Sequence, residues 1–243
     1  MNHPINKALR RAPALLCSLV FLSSAGLVRA QTVTAAKTNR WESDMRAFEA
    51  LDRKSPPPTN AVLFTGASNI RLWKNLGEAF PGHKVFNRGF GGAEMADLVE
   101  FAGRIVIPYR PKIVIIYAGD NDLADHKTPE RVLADFQAFA QEVHSALPAS
   151  VIGCIAVKPS PSRARLVAQV RQTDGLLESF CRTNANTIYI DDLTPMSSAT
   201  GGPRPELFGK DGLHLNQQGR AIWTSLIRPI LDRYDPASNK TPL

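Results

Sequence analysis

The chain has 243 residues, the size of one ordinary domain, and its 44% apolar and 21% charged residues belong to a folded globular protein rather than a disordered or fibrous one. Its formal charge of +7 is unevenly spread: Lys7, Arg10, Arg11 and Arg29 lie in the first 30 residues with no acid, leaving +3 for the remainder. A surplus that small, with no basic run interleaved with aromatics, excludes nucleic acid as an expected partner.

Residues 1–30 read as a targeting segment. Lys7, Arg10 and Arg11 precede an apolar stretch from Ala14 to Val28, and Val28-Arg29-Ala30 offers a cleavage site ahead of Gln31. The stretch is interrupted by Ser18, Ser23 and Ser24 and is short for a membrane span, so a cleaved signal is expected over an uncleaved anchor. A periplasmic or secreted protein follows, without stable membrane insertion after cleavage. Cys17 leaves with the segment, and Cys154 and Cys181 are expected as two separate buried thiols.

Residues 31–40 are polar and read as a flexible lead into a single domain over 41–243. A helix is predicted from Trp41 to Arg53, stopped by Pro56-Pro57-Pro58. Five short apolar runs follow as strands: Ala61–Phe64, Lys84–Phe86, Ile113–Tyr117, Val151–Val157 and Thr187–Ile190. The third and fourth are nearly continuous in apolar residues, as parallel strands covered on both faces are. Between the strands lie helical patterns. Thr128-Pro129-Glu130 supplies an N-cap, a proline in the first turn and an acid, and Leu133, Phe136, Phe139, Val143 and Leu147 mark one face. Ile222, Leu226 and Ile230 repeat the spacing near the C-terminus. Strands alternating with helices predict a three-layer α/β/α sandwich around a five-stranded, mostly parallel sheet.

Sites in such sheets form beyond the carboxyl ends of the strands. Four segments fall there: Gly66-Ala67-Ser68, Asn87-Arg88-Gly89-Phe90-Gly91-Gly92, Gly119-Asp120-Asn121-Asp122 and Asp211-Gly212-Leu213-His214. Singly, each is ordinary turn chemistry. Together they supply a hydroxyl, glycine backbone, a side-chain amide and an acid–histidine pair, which are the parts that acyl transfer needs. His214 is the candidate base for Ser68, and Asp211, three residues earlier, the acid that orients it.

In these four blocks, in their order and in their strand context, the chain resembles the SGNH hydrolases, the superfamily of GDSL-type esterases and lipases, from about Ala61 to Leu231. The resemblance implies a flavodoxin-like fold and a serine esterase with Ser68, Asp211 and His214 as catalytic residues. It also implies an oxyanion hole made by the backbone N–H groups of Ser68 and Gly92 and the amide of Asn121. Ala67 departs from the family pattern, which has an acid between the glycine and the serine. No cofactor is expected, and His83, His126 and His144 lack metal-ligand spacing. Asp122 is expected to be a structural acceptor.

Other classes fit less well. The dinucleotide fingerprint is broken by Ile70 and Leu72, and no tyrosine has a lysine four residues on. The Gly-x-Ser-x-Gly elbow fails at Ile70. A transferase, a lysophospholipase or thioesterase, and a binding protein on the same scaffold stay open. Lys158 and Arg163, in the loop after the fourth strand, are candidates for contacting a glycan, lipid or other small ester substrate, against the alternative of solvated charges. Gly201-Gly202-Pro203-Arg204-Pro205 reads as either a flap or a rigid turn.

Overall fold

The computed structural model describes residues 39–235; the expected targeting segment and nearly all of the lead expected to be loose lie outside them. The end of that lead, Asn39–Trp41, is a 3-10 turn running into helix α1 (Glu42–Lys54). Trp41 anchors this turn: it is buried, meets Phe90 edge-on at 5.7 Å, and its indole N–H donates to the Gly91 carbonyl at 2.9 Å.

Five strands form one sheet: β1 (Val62–Gly66), β2 (Val85–Gly89), β3 (Ile113–Tyr117), β4 (Val151–Ile155) and β5 (Thr187–Ile190). The spatial order is β2-β1-β3-β4-β5 and every pairing is parallel. β1, β3 and β4 are buried throughout, which is why their sequences carry apolar residues at successive positions instead of alternating ones. β2 begins one residue into the expected Lys84–Phe86 run and continues through Asn87, Arg88 and Gly89. Arg88 is tolerated there because Asp52 of α1 pairs with it and the Tyr109 hydroxyl accepts from its Nε at 3.1 Å.

The remaining helices are α2 (Ser68–Arg71), α3 (Leu76–Ala79), α4 (Met95–Ile105), α5 (Asp120–Ala124), α6 (Pro129–Ala146), α7 (Val167–Thr183), α8 (Leu193–Met196) and α9 (Gln217–Tyr234). The Thr128 cap forms as expected, accepting from Arg131 N at 3.2 Å. On one face of the sheet α4 packs on α6 and α6 on α7. On the other, Phe64, Trp73, Phe80, Tyr117 and Trp223 form an aromatic cluster with centroids 4.9 to 5.9 Å apart, joining the α2–α3 segment, the sheet and α9. The buried faces of the long helices are rotated slightly from the expected ones. On α9 the centre is Trp223, Ile227 and Leu231, with Ile222, Leu226 and Ile230 at its edge. On α6 Val132 and Ala140 are buried beside Phe136, Phe139 and Val143, while Leu133 is only half-buried. Cys154 and Cys181 are buried and unbonded, as expected.

The chain first steps from β1 to β2, then reverses and lays β3 on the other side of β1. A crevice therefore opens between the carboxyl ends of β1 and β3, at the point where the winding changes direction.

One buried acid gives this fold a pH signature. Asp192, beyond the end of β5, is fully buried, and its Oδ2 accepts from the Trp223 indole at 2.6 Å. Burial raises its carboxyl to about 8, against the pull of the Trp223 hydrogen bond and the Lys158 charge. Between an unfolded value near 4 and that folded value, the folded chain holds a proton that the unfolded chain has released. Stability should therefore fall as pH rises through this window. Asp192→Asn keeps an acceptor for Trp223 and removes the titration. Its urea midpoint should vary less between pH of about 5 and about 8 than the parent's, and should exceed the parent's at the upper end. Parallel pH profiles for the two proteins would contradict this assignment.

Candidate active site

The four blocks singled out in the sequence meet at the crevice. Gly66 ends β1 and Ser68 opens α2, whose N-cap Ala67 makes no side-chain cap bond. The Ser68 hydroxyl is thus not spent on capping its own helix. Its Oγ lies 2.9 Å from His214 Nε2, and His214 Nδ1 lies 2.6 Å from Asp211 Oδ2. Asp211 also accepts, through Oδ1, from the backbone N–H groups of Leu213 (2.9 Å) and His214 (3.0 Å). The hydrogen bond from His214, then those two backbone donors, hold the Asp211 carboxyl well below the usual carboxylate range. The pair sits at the surface, with side-chain exposures of 29% for His214 and 51% for Asp211.

Asn121 lies in the first turn of α5, directly after β3. Its Nδ2 donates to the Ala93 carbonyl at 2.9 Å, which sets the amide alongside the Ala93–Glu94 peptide, one residue past Gly92. Ala67 is buried and apolar, so the slot beside the serine holds no charge.

Side chains to which the sequence reading gave no catalytic role stitch the blocks together. Asn69 Oδ1 accepts from Leu215 N at 2.9 Å, tying the serine turn to the histidine loop. Asn87 donates to Ile70 O at 2.6 Å and accepts from Gly89 N at 2.7 Å, fixing the second block to α2. Asp122, expected as a structural acceptor, takes the Met95 N–H that opens α4 at 3.0 Å and pairs with Lys127 at 2.8 Å. Nothing local marks Asn69, whose partner lies 146 residues away, or the reach of Asn87 to Ile70, 17 residues back.

Lys158 and Arg163 are not solvated loop charges. The Lys158 side chain is completely buried, with its ammonium 3.2 Å from Asp120 Oδ2, so it faces the interior beneath the site rather than a ligand. Arg163 pairs with the same oxygen at 3.0 Å and donates from a second nitrogen to Asn121 Oδ1 at 2.9 Å. The Gly201–Pro205 segment is a tied turn, closed by the Ser197–Pro203 bridge and held to α7 by Arg171 on the Gly201 carbonyl at 2.8 Å. Among the described residues, no group of three or more His, Cys, Asp or Glu side chains is placed to hold a metal. No helix among them is long and apolar enough to cross a membrane.

A model of the GDSL-like Lipase/Acylhydrolase family matches residues 63–222, which takes in all four blocks. The chain belongs to this family and is a carboxylic ester hydrolase. No curated protein matches the sequence. Among solved structures, it is similar to a protein of Streptococcus pneumonia described as a candidate platelet activating factor (TM-score 0.71, 19% identity, 86% of this chain and 100% of that one). It is similar also to a GDSL-like lipase from Bacteroides thetaiotaomicron (0.67, 18%, 78% and 97%) and to a carbohydrate esterase family 3 protein from Talaromyces cellulolyticus (0.57, 18%, 71% and 96%). At these identities the likeness is one of fold.

The Asn69 clasp has a measurable consequence. Asn69→Ala leaves the buried Leu215 N–H without its acceptor, at a cost of about 1–3 kcal/mol. It also frees the histidine loop from the serine turn. The variant should melt at a lower temperature and lose more in kcat than in KM. An unchanged kcat with a lowered melting temperature would make the clasp a matter of stability alone.

Proposed function

We propose that this chain is an exported serine esterase acting on short-chain acyl esters, O-acetyl esters of carbohydrates among them, through an acyl-enzyme on Ser68. The observation that carries the reading is the unbroken hydrogen-bonded line from Asp211 through His214 to the Ser68 hydroxyl. In this reading His214 Nε2 takes the Ser68 proton as Oγ attacks the ester carbonyl carbon. Asp211 fixes the imidazole tautomer and stabilises the imidazolium that forms. The tetrahedral oxyanion is received by the N–H groups of Ser68 and Gly92 and by Nδ2 of Asn121. Collapse of the intermediate breaks the bond to the alcohol, which leaves with the imidazolium proton. Water, deprotonated by His214, then cleaves the acyl-enzyme by the same steps.

Preference for short acyl groups is supported by the exposure of the His214–Asp211 pair and by the makeup of the rim. The segments Gly66–Asn69, Arg88–Gly92 and Gly119–His126 are short, and the longer one from Asp191 to Asp211 is polar with a Gly/Pro turn. Each CH₂ of an acyl chain gains ~0.8 kcal/mol only where apolar walls receive it. A carbohydrate alcohol is in keeping with the family 3 carbohydrate esterase that shares the fold. Export rests on the basic, apolar and small-residue pattern of residues 1–30.

Ser68→Ala and His214→Ala should each remove nearly all esterase activity and by similar factors, since nucleophile and base act as one unit. A fluorophosphonate probe should label the parent and not Ser68→Ala. A His214→Ala enzyme that keeps a large share of the parent's rate would take this residue out of the mechanism.

Across p-nitrophenyl esters of increasing acyl length, kcat/KM should peak between acetate and butyrate. A peak at decanoate or beyond would sink the short-chain reading in favour of a lipid substrate.

A further inference from the structure

An oxyanion donor built from a carboxamide carries a built-in hazard. The amide turns end for end with little change in shape, and the wrong orientation presents a carbonyl oxygen to a developing negative charge. The surroundings of Asn121 remove that choice. On one side stands the Ala93 carbonyl, which can only accept; on the other stands the Arg163 guanidinium, which can only donate. Reversing the amide would set oxygen against oxygen and N–H against N–H. In the observed orientation one Nδ2 hydrogen goes to Ala93, and the second is left for a ligand.

Arg163 is itself held. Its ion pair with Asp120 is shared with Lys158, and the side-chain exposures are 19% for Arg163, 6% for Asp120 and none for Lys158. Burial alone would raise the Asp120 carboxyl, but the Lys158 and Arg163 charges outweigh it and the acid is shifted down. The cluster of one anion and two cations thus carries a net positive charge directly behind the amide. The same loop is fastened to the histidine loop, where Ser162 N donates to the Gly212 carbonyl at 3.0 Å.

We infer that Arg163 is a positioning residue for the ester-cleaving reaction: it locks Asn121 with its amide N–H toward the oxyanion and polarises that N–H by charging the carbonyl end. The inference rests on the reading of Asn121 as an oxyanion donor. Because the oxyanion exists in the transition state and not in the bound ester, the effect belongs in kcat rather than KM.

The test is a double-mutant cycle on a short-chain ester with the folded, full chain. Asn121→Ala should lower kcat by ~10²–10³, as removal of one such donor does. Arg163→Ala should lower kcat by about 10- to 100-fold with KM within about twofold, a part of that donor's worth. Lys158 still pairs with Asp120 in this variant, so the fold should persist, as a thermal melt would show. Guanidinium ion at non-denaturing concentration should restore part of the Arg163→Ala rate. In the Asn121→Ala background, adding Arg163→Ala should cost almost nothing further.

A loss of kcat in Asn121→Ala with none in Arg163→Ala overturns the positioning role and leaves the esterase reading standing. So does an Arg163→Ala loss that recurs in full in the Asn121→Ala background. Parental kcat in Asn121→Ala removes the reading beneath the inference, and the inference with it. If Arg163→Ala fails to fold, Arg163→Lys decides. Its compact ammonium cannot span Asp120 and Asn121 as the planar fork does. A kcat below the parent's that vanishes as a difference in the Asn121→Ala background supports the role, and a parental kcat overturns it.

Discussion

At Gly66 the backbone of β1 passes so close to the Tyr117 carbonyl that a Cβ would overlap it, and φ there is +132°, outside the range L side chains favour. The close approach is used. Ala67 N donates to the Tyr117 carbonyl at 2.8 Å, and Phe90 N donates to the Gly66 carbonyl at 2.9 Å. One rung of the sheet, Gly66 with Gly89 on one side and Tyr117 on the other, therefore ends three strands at the same level. The chain leaves β1 abruptly at that level, so the serine stands at the switch in strand order rather than further along a helix. A side chain at position 66 would push β1 from β3 and carry Ser68 away from His214, whatever the chemistry of either residue.

From that rung the rim is assembled by short polar side chains reaching backbone groups in other segments of the chain. Asn69 reaches Leu215, Asn87 reaches Ile70, Asp122 reaches Met95 and Asn121 reaches Ala93. The sheet supplies rigidity, since its central strands are buried on both faces, and these amides and carboxylates extend it to loops that have no ladder of their own. Ala67, beside the serine, takes no part in this fastening. The serine turn is held from the histidine side by Asn69.

The strands, their parallel sense and the four blocks were legible in the sequence because each depends on local runs: apolar continuity for β3 and β4, proline and threonine at the start of α6, Asp211 and His214 within one turn. The exact faces of α6 and α9 were less so. Three-residue stripes such as Ile222, Leu226 and Ile230 border the buried face, and only packing against the Trp73–Tyr117 cluster selects Trp223, Ile227 and Leu231 as its centre. Lys158 looked like a loop charge because its partner, Asp120, lies 38 residues away and is itself read as part of a motif. Arg88 and Asp192 hide for the same reason: a buried charge is visible in sequence only together with whatever compensates it, and that is settled by the topology.

The acid and the base lie three residues apart, in a loop that closes on itself through Gly209 N to the His214 carbonyl at 2.8 Å and Gly212 N to the Gly209 carbonyl at 2.9 Å. The imidazole's tautomer is consequently a property of one short circuit of chain, preset without reference to the sheet. What the fold contributes is a single register between two rigid bodies, the loop bearing the imidazole and the turn bearing the hydroxyl. Sliding one past the other would leave the acid–base pair whole while parting the His214–Ser68 contact together with the Asn69–Leu215 clasp beside it, so such a centre loses its nucleophile contact before its acid and base come apart.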